Sequence, residues 1–159
     1  MDDAPPIPHA GVGFPPPLIY AAGLLIGWFI HRHWPLPLTA GASRMREIVA
    51  MIFMATWVVL MCWAFATFLR AHTTFLPNRP AAALVTNGPY HFTRNPMYVS
   101  FAALYIAITL LINSWWPVAL LPGVFIAIRL AVVAREERYL ASAFPSEYAA
   151  YCRQVHRWL

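Results

Sequence analysis

The sequence predicts an all-α, polytopic transmembrane helical bundle of about four spans, with a C-terminal amphipathic helix. Three observations carry that expectation. The 159 residues are 60% apolar and only 11% charged, roughly half the charged share of a soluble domain. The apolar residues gather in four long runs. Two of those runs are joined only by Asn113-Ser114-Trp115-Trp116, a tight, uncharged helical hairpin with a tryptophan pair suited to a membrane interface. A soluble fold this poor in charge would expose too much apolar surface, and a bilayer removes that conflict.

Six prolines between Pro5 and Pro17 forbid regular structure at the start. Residues 1–15 therefore read as a flexible arm outside the membrane core. The acidic opening Met1-Asp2-Asp3 lacks the positive region of a cleaved signal peptide. The first apolar run, Pro17 to Ile30, is just long enough to span if it tilts little or borrows its flanks. The second, Glu47 to Leu69, is long and bounded by Arg44, Arg46 and Arg70. The third covers Met97 to Ile112. The fourth starts at Trp115 and stays apolar to Ala134, interrupted by Arg129. Residues 16–143 form the helical domain on this reading. The tail, 144–159, places Tyr148, Tyr151, Val155 and Trp158 at helical spacing with Arg153 and Arg157 off that stripe, the pattern of a helix lying on a membrane surface.

All eleven basic residues are Arg, and the net charge is +5. Most lie beside apolar runs, which points to lipid head groups and membrane orientation rather than nucleic acid. With the hairpin outward, Arg70, Arg79, Arg94, Arg135, Arg138, Arg153 and Arg157 fall on the other side. The positive-inside rule makes that side cytoplasmic, most simply at a bacterial inner membrane. Arg32, Arg44 and Arg46 oppose this assignment, and seven outweigh three. Cys62 and Cys152 are far apart and show no Cys-x-x-Cys spacing, so neither a disulfide framework nor a metal site is expected.

Two polar clusters can carry chemistry. One is Gly88-Pro89-Tyr90-His91-Phe92-Thr93-Arg94-Asn95-Pro96-Met97-Tyr98, directly before the third run. The other is Glu136-Glu137, after the fourth. Helix rise brings them to one depth: from Pro96 to Asn113 is about 25 Å, and from Trp115 back to Glu136 about 31 Å. Arg129 stands seven residues before Glu136, on the face of Val132, Val133 and Tyr139 in a regular helix. An arginine at that depth is a functional candidate, with snorkelling to the interface as the plain alternative. Taken singly, Arg94 reads as a boundary anchor, the Glu pair as a solvated helix end, and His72 and His91 as surface histidines.

The combination is more specific than its parts. Gly88-Pro89-Tyr90, Arg94-Asn95-Pro96-Met97-Tyr98 and Glu136-Glu137, followed by Leu140, Phe144, Glu147-Tyr148, Tyr151 and Val155, resemble the isoprenylcysteine carboxyl methyltransferases and their relatives, the phospholipid methyltransferases. The resemblance runs from about Arg79 to Leu159. Asn95 stands where many members carry His, Ser100 where many carry Gly, and Pro145 where Gly is frequent. The resemblance implies an integral membrane enzyme that uses S-adenosylmethionine and releases S-adenosylhomocysteine. It also implies cofactor-binding roles for Tyr90, Asn95, Pro96, Met97, Tyr98, Glu136, Glu137 and Tyr148. Catalytic roles fall to Arg94 and Glu136, with Arg129 as a further candidate from its intramembrane charge. The acceptor it implies is a membrane lipid or another apolar molecule arriving sideways from the bilayer. A phospholipid amine N-methyltransferase is the nearest alternative. A nicotinamide-dependent lipid reductase shares the hairpin and tail, but those enzymes are much longer and carry a basic cluster for a 2′-phosphate. A non-catalytic lipid-binding relative is the third reading.

Overall fold

A computed structural model of the chain describes residues 11, 13–71 and 83–158. Most of the proline-rich arm, together with His72, Arg79 and Leu159, lies outside the described residues. Among the described residues the structure is all-helical and contains no strand. Helices α1 (Pro17–His33) and α2 (Arg44–Arg70) are followed by a short 3-10 turn (Gly88–His91) and α3 (Pro96–Ile112). Helix α4 (Trp115–Ile128) runs through a π-turn (Arg129–Val133) into α5 (Ala134–Ala143), and α6 (Pro145–Gln154) closes the order. Two continuous helices, Arg44–Arg70 and Trp115–Ala143, are long and apolar enough to cross a membrane, while Pro96–Ile112 is a shorter apolar helix.

The termini of these helices follow from local chemistry. Ser43 caps α2 by accepting from the Arg46 N–H at 3.3 Å, satisfying one of the donors left open at a helix start. Ser114 does the same for α4 through Trp116 N–H at 3.2 Å. Between α3 and α4 the chain reverses at Asn113, which adopts a left-handed conformation (φ 58°, ψ 52°) that asparagine tolerates better than most residues. The Asn113 side chain then ties the hairpin to the α1–α2 loop. Its Nδ2 donates to Thr39 O at 3.0 Å, and its Oδ1 accepts from Thr39 N–H at 3.0 Å. Trp116 Nε1 adds a bond to Trp34 O at 2.7 Å, and Trp115 N–H one to Leu36 O at 3.0 Å. The hairpin and the α1–α2 loop therefore sit at the same end.

Helix α1 runs the depth of the bundle. At one end the Tyr20 hydroxyl donates to Tyr98 O at 3.0 Å; at the other the chain reaches Trp116. Two glycines one turn apart make the close approach to α4 possible. A Cβ on Gly23 would lie 2.5 Å from Val124 Cγ2, and one on Gly27 would lie 2.7–2.9 Å from ring and backbone atoms of Pro117. This small-xxx-small spacing lets helices meet at backbone distance. The core between α1, α3 and α4 holds Tyr20, Tyr98, Tyr105, Val124, Ile128, Val132 and Val133.

Helix α3 is buried on both sides, since α2 packs along it opposite α1 and α4. Ser100, two residues and about 200° from Tyr98, faces away from the side that Tyr98 occupies. It is fully buried and donates its hydroxyl to Met97 O at 2.7 Å, so the extra polar atom is satisfied within the helix. Much of the remaining α2 surface is apolar and exposed, including Met51, Ile52, Val59 and Leu69, as expected of a face in contact with lipid.

Two expectations need correction. Arg129 does not share the inward face of Val132 and Val133: both valines are buried, and Arg129 is exposed. The π-turn that begins at Arg129 inserts one residue beyond the α-helical count and rotates the register by about 100°. In the tail, the helix stops at Gln154 and Val155 is extended (φ −123°, ψ 131°). Arg157 and Trp158 therefore lie on a non-helical strap rather than on a helical stripe.

Candidate functional site

The structure brings the two polar clusters together at the end of the bundle away from the hairpin. Gly88 opens the first with a positive φ of 62°, and a Cβ there would press on Thr67 Oγ1 at 2.7 Å. That conformation and proximity both require glycine. The following 3-10 turn buries Pro89 and Tyr90 against α2. Thr93, Asn95 and Pro96 are buried as well. Proline at the first position of α3 fits the helix start, where its missing N–H is not needed, and leaves the Arg-Asn dipeptide as a short non-helical link.

Tyr98, on the first turn of α3, donates its hydroxyl to Glu136 Oε1 at 2.7 Å. Glu137, the next residue on α5, is held at both oxygens by Arg157: Nε reaches Oε1 at 2.8 Å and Nη2 reaches Oε2 at 2.7 Å. Bonds to Glu137 hold the Arg157 guanidinium above its ordinary pKa. Arg94 approaches the same carboxylate from the other side, with Nη1 3.3 Å from Oε1. That nitrogen also donates to Cys152 Sγ at 2.7 Å and to the Tyr148 hydroxyl at 3.5 Å. Arg94 Nε is buried without an acceptor. Leaving a buried donor unpaired costs about 1–3 kcal/mol.

The tail closes the site by backbone as well as side-chain contacts. Arg94 N–H donates to His156 O at 3.0 Å. Thr93 Oγ1 and Asn95 Nδ2 donate to Arg157 O at 3.1 and 2.9 Å. The Tyr151 hydroxyl donates to Tyr90 O at 2.6 Å, and Trp158 packs edge-on against Phe125. Burial raises the Tyr148 and Tyr151 hydroxyls well above the ordinary phenol range, so both remain protonated donors at neutral pH.

Of the candidates named from sequence, Arg94, Tyr98, Glu136, Glu137 and Tyr148 converge on this cluster. Tyr90 supports it through its carbonyl, Asn95 is bound to the tail, and Met97 packs beside Tyr90 and Ala64. Arg129 lies outside it. Sequence reasoning gave no role to Cys152, Thr93 or Tyr20, and set Arg157 off the apolar stripe without a protein partner. Tyr20 carries no signal beyond its place in an apolar run. The inward turn of Arg157 depends on a helix end that no glycine or proline marks.

Comparison with known proteins agrees with this architecture. Residues 45–147 match the phospholipid methyltransferase family, a segment that includes α2, the Arg-Asn-Pro loop, the hairpin and the Glu pair. The chain belongs to that family, and two of its helices are long and apolar enough to cross a membrane. It is also similar to the cobalt-zinc-cadmium resistance protein CzcN of Cupriavidus metallidurans, with 36% identity over 81 residues. That similarity covers 51% of this chain and 37% of the relative's length. No solved structure matches the chain.

Proposed function

We propose that the protein is an S-adenosylmethionine-dependent methyltransferase, similar to the isoprenylcysteine carboxyl methyltransferases, that methylates a lipid-like or other apolar acceptor at the cytoplasmic membrane face. In this reading α1, α2, α3 and the α4–α5 helix all span the membrane of a bacterial inner membrane protein, with the hairpin outside. The observation that carries the reading is the Arg94 guanidinium, whose buried Nε lacks an acceptor, beside two carboxylates at a membrane-facing helix end. A donor set of one arginine fork and two carboxylates suits an amino-acid moiety, which carries an anion and a cation.

Arg94 would hold the carboxylate of S-adenosylmethionine. Glu136, with only one oxygen engaged by Tyr98, suits its ammonium or ribose diol. Glu137, with both oxygens engaged, acts as counter-ion between the two arginines. Backbone groups around Asn95 and Pro96, with Tyr90, Met97 and Tyr98, form the wall for the nucleoside. When bound, the cofactor supplies an electrophilic methyl group on a sulfonium. The protein's task is then alignment and exclusion of water. The tail contributes to both by covering the loop with Tyr148, Tyr151 and the strap. A carboxylate acceptor needs no general base, which fits a site where no Ser-His or Cys-His hydrogen bond is found among the described residues.

The family's phospholipid-methylating character favours a second reading, in which the acceptor is a phospholipid amine. An amine must lose a proton, and the Tyr98–Glu136 pair offers a carboxylate for it. One experiment addresses both readings. Purified protein is incubated with methyl-labelled S-adenosylmethionine and a total lipid extract, and the product is identified. A labelled ester hydrolysed by mild base supports the carboxylate reading; a base-stable labelled amine supports the other. No labelled product together with no S-adenosylhomocysteine binding would overturn both.

A further inference from the structure

The end of the tail supplies the densest charged contacts of the site, and their division between two arginines is unequal. Arg157 takes both oxygens of Glu137, at 2.8 and 2.7 Å. Its backbone is fixed by the bonds that Thr93 and Asn95 donate to its carbonyl, so the guanidinium is aimed although its side chain is 35% exposed. Arg94 comes to the same carboxylate but stays at 3.3 Å, and its Nη1 donates to Cys152 Sγ at 2.7 Å. One carboxylate stands between two guanidinium groups, and one of them holds it.

A carboxylate offers one planar edge to an arginine fork. While Arg157 occupies that edge, Arg94 keeps donor capacity free at the depth of the loop. Without Arg157, the next cation within reach of Glu137 is Arg94, and closing a gap of a few tenths of an ångström would turn its fork toward the protein's own carboxylate. We propose that Arg157 is a positioning residue that takes the bidentate edge of Glu137, limits Arg94 to a single 3.3 Å contact with that carboxylate, and so keeps the rest of the Arg94 fork for the carboxylate of the methyl donor. The proposal rests on the reading of Arg94 as the anion site given above. It assigns the tail an electrostatic role distinct from covering the site.

Binding calorimetry with two ligands tests it. S-adenosylhomocysteine carries the amino-acid carboxylate, whereas 5′-methylthioadenosine keeps the nucleoside and thioether but lacks that carboxylate. Arg157→Gln should weaken S-adenosylhomocysteine about tenfold, the loss of one charge-assisted contact, and leave 5′-methylthioadenosine unchanged. Adding Glu137→Gln removes the competing carboxylate and should bring S-adenosylhomocysteine back to within about threefold of wild type. An equal loss for both ligands, an additive double mutant, or wild-type binding by Arg157→Gln would each overturn the proposal. Should Arg157→Gln fail to fold, Arg157→Lys keeps the charge and loses the fork. A smaller but still selective loss is then expected, and no selective loss overturns it. Arg94→Gln separates the two levels of the argument. If Arg94→Gln binds both ligands as wild type does, the anion-site reading itself fails. If it loses S-adenosylhomocysteine selectively while Arg157→Gln does not, only the role of Arg157 falls.

Discussion

The Tyr98 hydroxyl meets Glu136 Oε1 at 2.7 Å across 38 residues of chain, joining the first turn of α3 to the helix that returns from the hairpin. This bond lies at the end of the bundle where Tyr98 also accepts, through its carbonyl, the hydroxyl of Tyr20 from α1. Three helices are thus registered at one level. Tyr98→Phe would leave the Glu136 carboxyl without its donor. The expected cost is about 1–3 kcal/mol of stability, read as a lower unfolding temperature in detergent. S-adenosylhomocysteine affinity should fall with it, because Glu136 is no longer oriented. An unchanged unfolding temperature would show that the bond does not register the helices.

Arg94 and Glu136 stand on different elements yet border one cluster, so both are expected to be needed for cofactor binding. Arg94→Ala and Glu136→Ala should each weaken S-adenosylhomocysteine about tenfold or more, since a charge-assisted contact is worth about 1.5–3 kcal/mol. Arg129→Ala is the contrasting case. Its side chain points outward beside exposed Ile126 and Leu130, so cofactor affinity should stay at the wild-type value. Loss of affinity in Arg129→Ala and none in the other two would reverse the placement of the site.

Packing of α1 depends on a glycine with no room for a methyl group. Gly27→Ala would put a Cβ 2.7–2.9 Å from Pro117 atoms, two of them backbone. Overpacking of this kind typically costs about 1–3 kcal/mol. Gly123, with nothing within 4 Å of an added Cβ, serves as control. A measurable drop in unfolding temperature is expected for Gly27→Ala and not for Gly123→Ala.

What the sequence made legible follows from what a straight helix preserves. Helix rise is constant, so the return of Glu136 to the level of Tyr98 could be worked out from residue counts, and the bond between them agrees. Angular position is less robust. One π-turn at Arg129–Val133 moves Arg129 out of the inward face, and nothing in Arg-Leu-Ala-Val-Val announces it. The tail shows the same limit: Tyr148 and Tyr151 turn inward as their spacing implies. The spacing that sets Arg157 off the apolar stripe presumes a continuing helix, whereas the helix ends at Gln154. Gly23 and Gly27 are visible as a spacing, but their partner helix is set only by the three-dimensional arrangement.

Orientation in the membrane can be read from two independent positions that the structure ties to one end. Ser114 is a poor probe, being fully buried and engaged in capping α4. Trp115 is 48% exposed and Leu36 is 47% exposed. Each is substituted by cysteine, with Cys62 and Cys152 replaced by serine. The hairpin-outward arrangement expects both Trp115→Cys and Leu36→Cys to react with an impermeant thiol reagent in intact cells. Labelling of both only after lysis would invert the orientation. Labelling on opposite sides would break the shared end that Asn113 and Trp116 define.

The tail provides the most direct test of how the site is closed. Truncation after Ala143 removes Tyr148 from Arg94, Tyr151 from the Tyr90 carbonyl, Arg157 from Glu137, and the two carbonyls that fix Thr93, Arg94 and Asn95. It also removes Trp158 from Phe125 of α4, but leaves the packing among α1, α3 and α4 and the hairpin's own bonds in place. The truncated chain is therefore expected to insert in the membrane and remain helical by circular dichroism. It should nevertheless lose S-adenosylhomocysteine affinity by more than the roughly tenfold expected for one charged contact, since several contacts to the loop go at once. Performing the measurement in detergent separates closure from membrane attachment, because an anchoring segment is dispensable there. A truncated protein that binds as tightly as the full chain in detergent would show that the tail is an anchor. The bonds from His156 and Arg157 to the Arg-Asn-Pro loop would then have no part in holding the cofactor.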